Sequence, residues 1–471
     1  MPWFGYSDFV RIWSLIFGCL VILFNHSHAQ DFYFGADQSY VNEMEDCGAD
    51  YNEEGQTKDV YDIFEDHGCN LVRLRLWHTP AWYDQLNAGK RYSDLSDVAK
   101  SIRRSKDHEM KVLLGFHLSD NWADPSKQLV PAAWLGVVND LPLLKDSLYR
   151  YIYSTLMTLH QEDLLPEMVQ IGNETNRGIL LSPEDNQTYT LDWTRNAALF
   201  NEAIRAVRTV TAETGEDVQI ALHVAGPADI EWFVDQFVNH GVTDFDIIAM
   251  SYYWAWHKPT TINQTGEVID RLRNKYRDKE VMIVETGYLW TTANADAAPN
   301  IINEQHPDYL PASPENQKRW LIDLTTEVIR QGGKGVIYWE PSWVSTPCYN
   351  QWNQGSHQDH ATFFDFDDNL LIPGGIQWME HDYGLSTKTF NTRLGEALIK
   401  VHGSLLIIEL APPFKFDRFM VADTSGRIVD QGIINQPVTE VQCQQIGSGT
   451  YFVSLMEDSK VVLTRKVFFH N

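Results

Sequence analysis

Positive charge is scarce in this sequence. Thirty-seven Lys and Arg residues stand against 64 Asp and Glu, a formal net charge of −27. Such a surface repels polyphosphate, which argues against nucleic acid as a partner and disfavours a strongly acidic ligand. Cysteine is sparse too, five in 471 residues, and the spacings match no zinc pattern. No Gly-rich phosphate loop follows the first strand-like segment, so the dinucleotide-binding doubly wound fold lacks its signature. Nothing in the pattern requires a cofactor. No apolar run reaches the ~20 residues that a membrane span needs.

The apolar run nearest the N-terminus, Ile12–Phe24, follows Arg11 and precedes Ser27-His28-Ala29. A short apolar core followed by small residues reads as a signal peptide, here residues 1–29 with cleavage after Ala29. The mature protein is then expected to be secreted, periplasmic or on a bacterial cell surface, with no membrane span. Cys47, Cys69, Cys348 and Cys443 remain after cleavage. Four thiols allow three pairings, and the sequence does not choose among them. A monomer is expected. The 16 Trp residues are read mostly as core, although sugar rings stack on indoles and an exported Trp-rich chain suits a carbohydrate ligand.

Short apolar runs recur along the first four-fifths of the chain: Phe32–Ala36, Leu71–Leu76, Val112–Phe116, Met168–Ile171, Val218–His223, Ile247–Ser251, Val281–Val284 and Val336–Trp339. Segments of helical period lie between them, among them Asp94–His108, Leu143–His160 and Asn196–Thr214, with an eighth helix expected at Leu394–Val401. Strand–helix alternation of this kind predicts an α/β fold, a (β/α)8 TIM barrel over residues 31–402. From 403 to 471 the pattern changes to alternating runs and turns, which predicts a small β-sandwich-like domain. Pro412-Pro413 reads as its linker.

A barrel carries its chemistry at the C-terminal ends of its strands. Several runs end there in polar or aromatic residues: Arg73, His117, Asn173-Glu174, His223, Tyr253, Glu285 and Trp339. Each alone could be a satisfied structural group; together on one rim they favour a site. Glu174 closes the fourth strand and Glu285 the seventh, so the two carboxyl groups can face each other across the mouth. That is the requirement of glycoside hydrolysis, in which one carboxyl protonates the leaving oxygen and the other attacks the anomeric carbon or activates water. On this reading Glu174 is the acid/base and Glu285 the nucleophile. Arg73 keeps Glu285 ionised, Tyr253 orients it, and Asn173 binds a sugar hydroxyl. His117, Asp120 and Trp122 form a polar clamp and an apolar platform, His223 joins the rim, and Trp339 and Trp343 floor the sugar site.

The stretches Phe34-Gly-Ala-Asp-Gln-Ser-Tyr, Asn70-Leu-Val-Arg-Leu-Arg-Leu-Trp, His117-Leu-Ser-Asp-Asn-Trp-Ala-Asp-Pro, Gln170-Ile-Gly-Asn-Glu, Ser251-Tyr-Tyr-Trp, Ile283-Val-Glu-Thr and Tyr338-Trp-Glu-Pro-Ser-Trp together resemble the endo-β-1,4-galactanases of glycoside hydrolase family 53, in order, over about residues 32 to 400. The resemblance implies a retaining barrel enzyme that cleaves internal β-1,4-galactosyl links of type I arabinogalactan, a pectin side chain, with Glu174 and Glu285 in the roles given above. Trp254 stands where the family often has Pro, which leaves the shape of one subsite wall open. Bacterial relatives often hold calcium in the loop after strand seven. Asn294, Asp296 and Asn300 fit that ligand spacing, with Ala298 where a His is expected, so any calcium would be structural.

Val421-Ala-Asp-Thr-Ser-Gly-Arg-Ile-Val, Gly449-Thr-Tyr-Phe-Val-Ser-Leu and Arg465-Lys-Val-Phe resemble the C-terminal sorting domain of type IX secretion. Two rivals to galactan hydrolysis stand beside it: a related endo-glycosidase acting on mannan, cellulose or another β-linked glycan, and a non-catalytic carbohydrate-binding protein.

Overall fold

Eight parallel strands close on themselves: β1 (Tyr33–Asp37), β2 (Leu71–Leu76), β3 (Lys111–Phe116), β4 (Met168–Ile171), β5 (Gln219–Ala225), β6 (Ile247–Ser251), β7 (Glu280–Thr286) and β8 (Gly335–Tyr338). Each pairs with its chain neighbour and β8 pairs with β1. The computed structural model describes residues 32–384 apart from 189, and most of 392–469. The signal peptide and the Pro412-Pro413 linker of the sequence reading lie outside the described residues.

Side chains alternate across each strand, so one set fills the barrel and the other meets the helices. Tyr33, Leu71, Leu113, Met168, Ala221, Ile247, Met282 and Ile337 belong to one buried apolar cluster contributed by all eight strands. The helices begin where the sequence supplies an N-cap. Asp94 accepts Asp97 N–H ahead of helix Leu95–Asp107, and Asp140 accepts Leu143 N–H ahead of helix Leu141–Gln161. Leu144, Leu148, Ile152, Leu156 and Leu159 then form the buried stripe of the second helix.

The eighth helix differs from expectation. The described residues of Leu394–Val401 are strand, not helix: Thr392–Leu394 and Ala397–His402 are β9 and β10, paired antiparallel. The physical reason is visible in the burial of Ile399 and Val401, then of Leu406, Ile408 and Leu410 in the next strand, β11 (Leu405–Leu410). That is a period of two, which a run this short does not separate from a helical one. After β8 a 3-10 turn, Gly375–Trp378, buries Ile376 and Trp378 in the core that also contains Trp320 and Leu321 of helix Pro314–Arg330.

The chain accordingly divides into two compact units, Phe32–Leu385 and one holding Ser386–Asn471, a boundary ahead of the expected 402. In the second unit β12 (Arg418–Asp423), β13 (Ile428–Ile433), β14 (Val438–Gln442), β15 (Gly449–Glu457) and β16 (Lys460–Phe469) complete two four-stranded antiparallel sheets, ordered β9-β10-β11-β14 and β13-β12-β15-β16. Ile408, Leu406, Val421 and Leu455 from the two sheets share one core. Within the first unit Cys47 and Cys348 form a disulfide, and Cys69 is a buried thiol. Among the described residues no helix is long and apolar enough to cross a membrane.

Candidate active site

The end of β4 sets the geometry. Gly172 takes a left-handed φ of +74°, and a Cβ there would meet Thr175 Cγ2 at 2.5 Å. Glu174 also has a positive φ, +45°, uncommon for a side chain with a Cβ and a form of local strain found at functional sites. The turn is stapled to β5, because Thr175 N and Thr175 Oγ1 both donate to His223 O at 2.9 Å.

Arg73 of β2 gathers four partners while only 2% exposed. Its Nη1 lies 2.8 Å from Glu285 Oε1 and 2.8 Å from Asp37 Oδ2; Nη2 donates to Asn173 Oδ1 at 2.7 Å and Nε to Gln170 Oε1 at 3.2 Å. Tyr253 donates its hydroxyl to Glu285 Oε2 at 3.3 Å. Glu174 has a different shell. Ser251 Oγ donates to its Oε1 at 2.6 Å, and no cation is paired with it among the described residues.

These shells separate the two acids. Burial, then the negative charge of Glu285, pushes the Glu174 carboxyl up to about 8. Burial also raises Glu285, but the adjacent Arg73 guanidinium and the Tyr253 hydroxyl oppose that rise. Near neutral pH the pair therefore shares one proton, held on Glu174, and Glu285 is the anion.

Both acids line one cleft of about 750 Å³, together with Asn173, Tyr253, Trp122, Trp339 and Trp343. Arg73, His117, Asp120 and His223 stand behind its wall. His117 and His223 are buried, and burial, joined by Arg75 and then Arg73 for His117 and by Arg73 for His223, drives both well below the ordinary histidine range, so they are neutral. The Asp120 carboxylate is turned to the backbone of its own rim. It accepts Thr79 N and Ala132 N at 2.9 and 2.8 Å and so pins the loop that carries Trp122. Trp254 turns away from the cleft and packs edge-on against His306, ring centroids 4.2 Å apart.

Other residues of the site went unassigned in the sequence. Asp37 shares Arg73 with Glu285, and its signals are a carboxylate at the end of an apolar strand and its place in the Phe34–Tyr40 stretch. Trp256 and Trp352 line the cleft while 48% and 51% exposed; Trp256 is on the short helix Trp254–His257 after β6 and Trp352 in the segment after β8, where an exposed indole has no core to fill. Arg75 sits with its guanidinium carbon 4.1–4.4 Å from the ring centres of Tyr40, Trp77 and Trp122 and its Nη1 2.9 Å from Glu340 Oε1. Tyr40 in turn stacks on Trp343 at 4.0 Å. The cleft's aromatic wall is thus backed by one buried cation.

Of the three residues suggested for calcium, Asn294 and Asn300 are in contact with each other, while Asp296 turns to other partners. Asp296 accepts Ala298 N at 2.7 Å, Ser356 N at 2.8 Å and the Ser345 hydroxyl. Asn300 Nδ2 donates to Asn294 Oδ1 at 2.6 Å and Asp359 Oδ1 at 2.7 Å, so an amide NH2 stands where a cation shared by those oxygens would lie. Asn300 Oδ1 is left buried without a hydrogen-bond partner among the described residues.

A closed parallel barrel with one protonated and one ion-paired carboxyl in an aromatic cleft at its mouth defines a glycoside hydrolase. The sequence profile of glycosyl hydrolase family 53 matches residues 33–373, and the chain belongs to that family. It is 46% identical over 337 residues to an arabinogalactan endo-beta-1,4-galactanase of Cellvibrio japonicus (strain Ueda107), covering 71% of this chain and 86% of that protein. To an endo-beta-1,4-galactanase of Bacillus subtilis (strain 168) it is 36% identical over 324 residues, 67% of this chain and 71% of that one. Among solved structures, the Ignisphaera aggregans GH53 catalytic domain superposes with a TM-score of 0.66 at 31% identity, covering 74% of this chain and 95% of that chain.

Proposed function

We propose that the protein is a retaining endo-β-1,4-galactanase that cleaves internal links of galactan and type I arabinogalactan. The observation that carries the chemistry is the unequal pair: Glu285 ion-paired to Arg73 and Glu174 held protonated in the same cleft. Glu285 attacks the anomeric carbon while Glu174 gives its proton to the departing glycosidic oxygen. The product is a galactosyl ester of Glu285 and a free sugar hydroxyl. Loss of the Glu285 charge lowers the proton affinity of Glu174, which then removes a proton from water. The hydroxyl adds to the anomeric carbon, Glu285 leaves as carboxylate, and configuration is retained. An open cleft with exposed Trp256 and Trp352 suits a polymer lying across it more than a chain end entering a closed pocket.

The choice of galactan is supported by the names of the relatives and by the family. Product profiling on galactan, mannan and cellulose tests it. Short galacto-oligosaccharides from galactan alone are expected, and release from mannan but not galactan would overturn the assignment. Proton NMR of the first product, expected as the β-anomer, tests retention. We read residues 1–29 as an export leader and the C-terminal unit as a sorting domain. N- and C-terminal sequencing of protein recovered outside the cell checks both.

A further inference from the structure

Besides the two acids, the cleft wall holds a buried hydrogen-bond chain that runs from β5 through β6 to Glu174. His223 Nε2 lies 2.8 Å from Ser251 Oγ, and Ser251 Oγ lies 2.6 Å from Glu174 Oε1. At the other side of the same imidazole, the backbone N–H of Glu174 points at His223 Nδ1 at 3.2 Å. His223 and Ser251 are both 0% exposed, so every one of these groups must find its partner inside the protein.

A neutral imidazole carries one ring proton, and the surroundings decide where it sits. A proton on Nδ1 would face the Glu174 amide hydrogen, donor against donor. Asn173 Oδ1, 3.1 Å from Nδ1, does not require that proton, because it already accepts from Arg73 Nη2 at 2.7 Å and Gln170 Nε2 at 3.2 Å. The ring proton therefore sits on Nε2 and is donated to Ser251 Oγ. With an acceptor lone pair so occupied, the serine hydroxyl turns its own hydrogen to Glu174 Oε1. The chain has one polarity: imidazole to hydroxyl to carboxyl, closed back through the amide of the same glutamate.

We propose that Ser251, oriented by His223, is a positioning residue that keeps the catalytic proton of Glu174 on Oε2. Oε1 faces the serine hydrogen, and the carbonyl oxygen of a protonated carboxyl is the better acceptor, so this donor favours the proton on Oε2. Oε2 accepts no protein hydrogen bond among the described residues and is left for the cleft that Glu174 lines. The proton is thus held on the oxygen that can reach a glycosidic oxygen, in the syn or anti lone pair, without a search between two sites. The same fixed donor stabilises the Glu174 carboxylate in the second half of the reaction. The inference rests on the reading of Glu174 as the acid/base.

The charged groups that act on Glu174 are Glu285 across the cleft, Asp124 from the loop after β3, and Arg73 from β2; Ser251 contributes the hydrogen bond from β6. Only the last changes in a Ser251→Ala variant. Two consequences are expected. The alkaline limb of kcat/KM moves to higher pH, since a donor that favours the carboxylate is gone. At the pH optimum, kcat/KM on a substrate with a sugar leaving group falls about ten-fold or more, while a dinitrophenyl galacto-oligosaccharide, whose leaving group needs no proton, keeps its kcat/KM within about two-fold. Ser251→Thr, which retains the hydroxyl, restores the position of the alkaline limb.

An unmoved alkaline limb in Ser251→Ala, or an equal loss on both substrates, overturns the proposal. The underlying reading is tested apart from it with Glu174→Ala and azide on the dinitrophenyl substrate. A β-galactosyl azide product is expected there; its absence removes Glu174 as acid/base whatever Ser251 does.

Discussion

Arg73 and Glu285 meet at 2.8 Å with side chains 2% and 8% exposed, and the same guanidinium nitrogen also holds Asp37. A buried cation between two carboxylates is more than a local ion pair. Removing it leaves two buried acids without a counter-charge, and an unpaired buried partner costs about 3–5 kcal/mol. Arg73→Met is expected to lower the thermal midpoint and to reduce kcat by at least about 100-fold. Steady-state kinetics and thermal unfolding read both. A variant with wild-type kcat would remove Arg73 from the account of how Glu285 remains anionic.

The Arg75 cage makes a separable prediction. Glu340→Leu alone strands the guanidinium among Tyr40, Trp77 and Trp122, whereas Arg75→Met with Glu340→Leu replaces both charges by apolar groups. The double variant is expected to be more stable than the sum of the single losses by about 1–3 kcal/mol. Because Trp122 and Trp343 form the cleft wall, KM for galactan should rise in each variant by more than kcat falls. A double-mutant cycle on unfolding free energy, with kinetics on the same proteins, decides it.

His67 lies 2.8 Å from Glu53 and 2.7 Å from Glu380. Burial opposes its charge, but the two carboxylates win and raise its proton affinity above the ordinary histidine value. A raised value in the folded state means the stabilisation is complete below about pH 6.5 and fades as pH rises through the folded value. The thermal midpoint of the wild type is expected to fall across that alkaline window by more than that of His67→Gln. Parallel melting curves from pH 5.5 to 9 would expose a failure: identical slopes in the two proteins.

Cys47 follows the first helix after β1, and Cys348 lies in the loop after β8, 301 residues apart in sequence. On the loop-entropy account a cross-link of that span stabilises by up to about 5 kcal/mol. Cys47→Ser with Cys348→Ser should melt earlier. It should also bind polymer less tightly, since Trp343 and Trp352 flank Cys348. Melting and KM with and without reductant measure this, and the double variant should no longer respond to reductant.

Much of the barrel was legible because each strand is a short apolar run closed by a residue no core wants, as with Ile283-Val-Glu285. All eight strands begin and end within two residues of the runs read from sequence. Glu174 and Glu285 were legible for the same reason, since charge directly after a buried strand needs a purpose. Leu394–Val401 was misread because a short apolar stretch fits both periods, and only its pairing with Leu405–Leu410 decides between them. Asp120 misled by its neighbours: a polar residue between His117 and Trp122 looks like a ligand contact, but its carboxylate ties two backbone amides. The disulfide, the sharing of Arg73 by Asp37, and the Ser251 link to Glu174 depend on residues far apart in the chain, which no local pattern joins.

The disulfide has a meaning that its stability contribution does not capture. Every neighbouring pair of strands in the barrel is joined by main chain except β8 and β1, the seam where the ring opens. Cys47 and Cys348 bridge the loops on either side of that seam. The covalent loop so formed runs through β2 to β8, and β1 alone lies outside it, between the chain's N-terminal side and Cys47. Pulled from its ends, the oxidised barrel can peel β1, but the tension then crosses from Cys47 directly to Cys348 and never reaches β2 to β8.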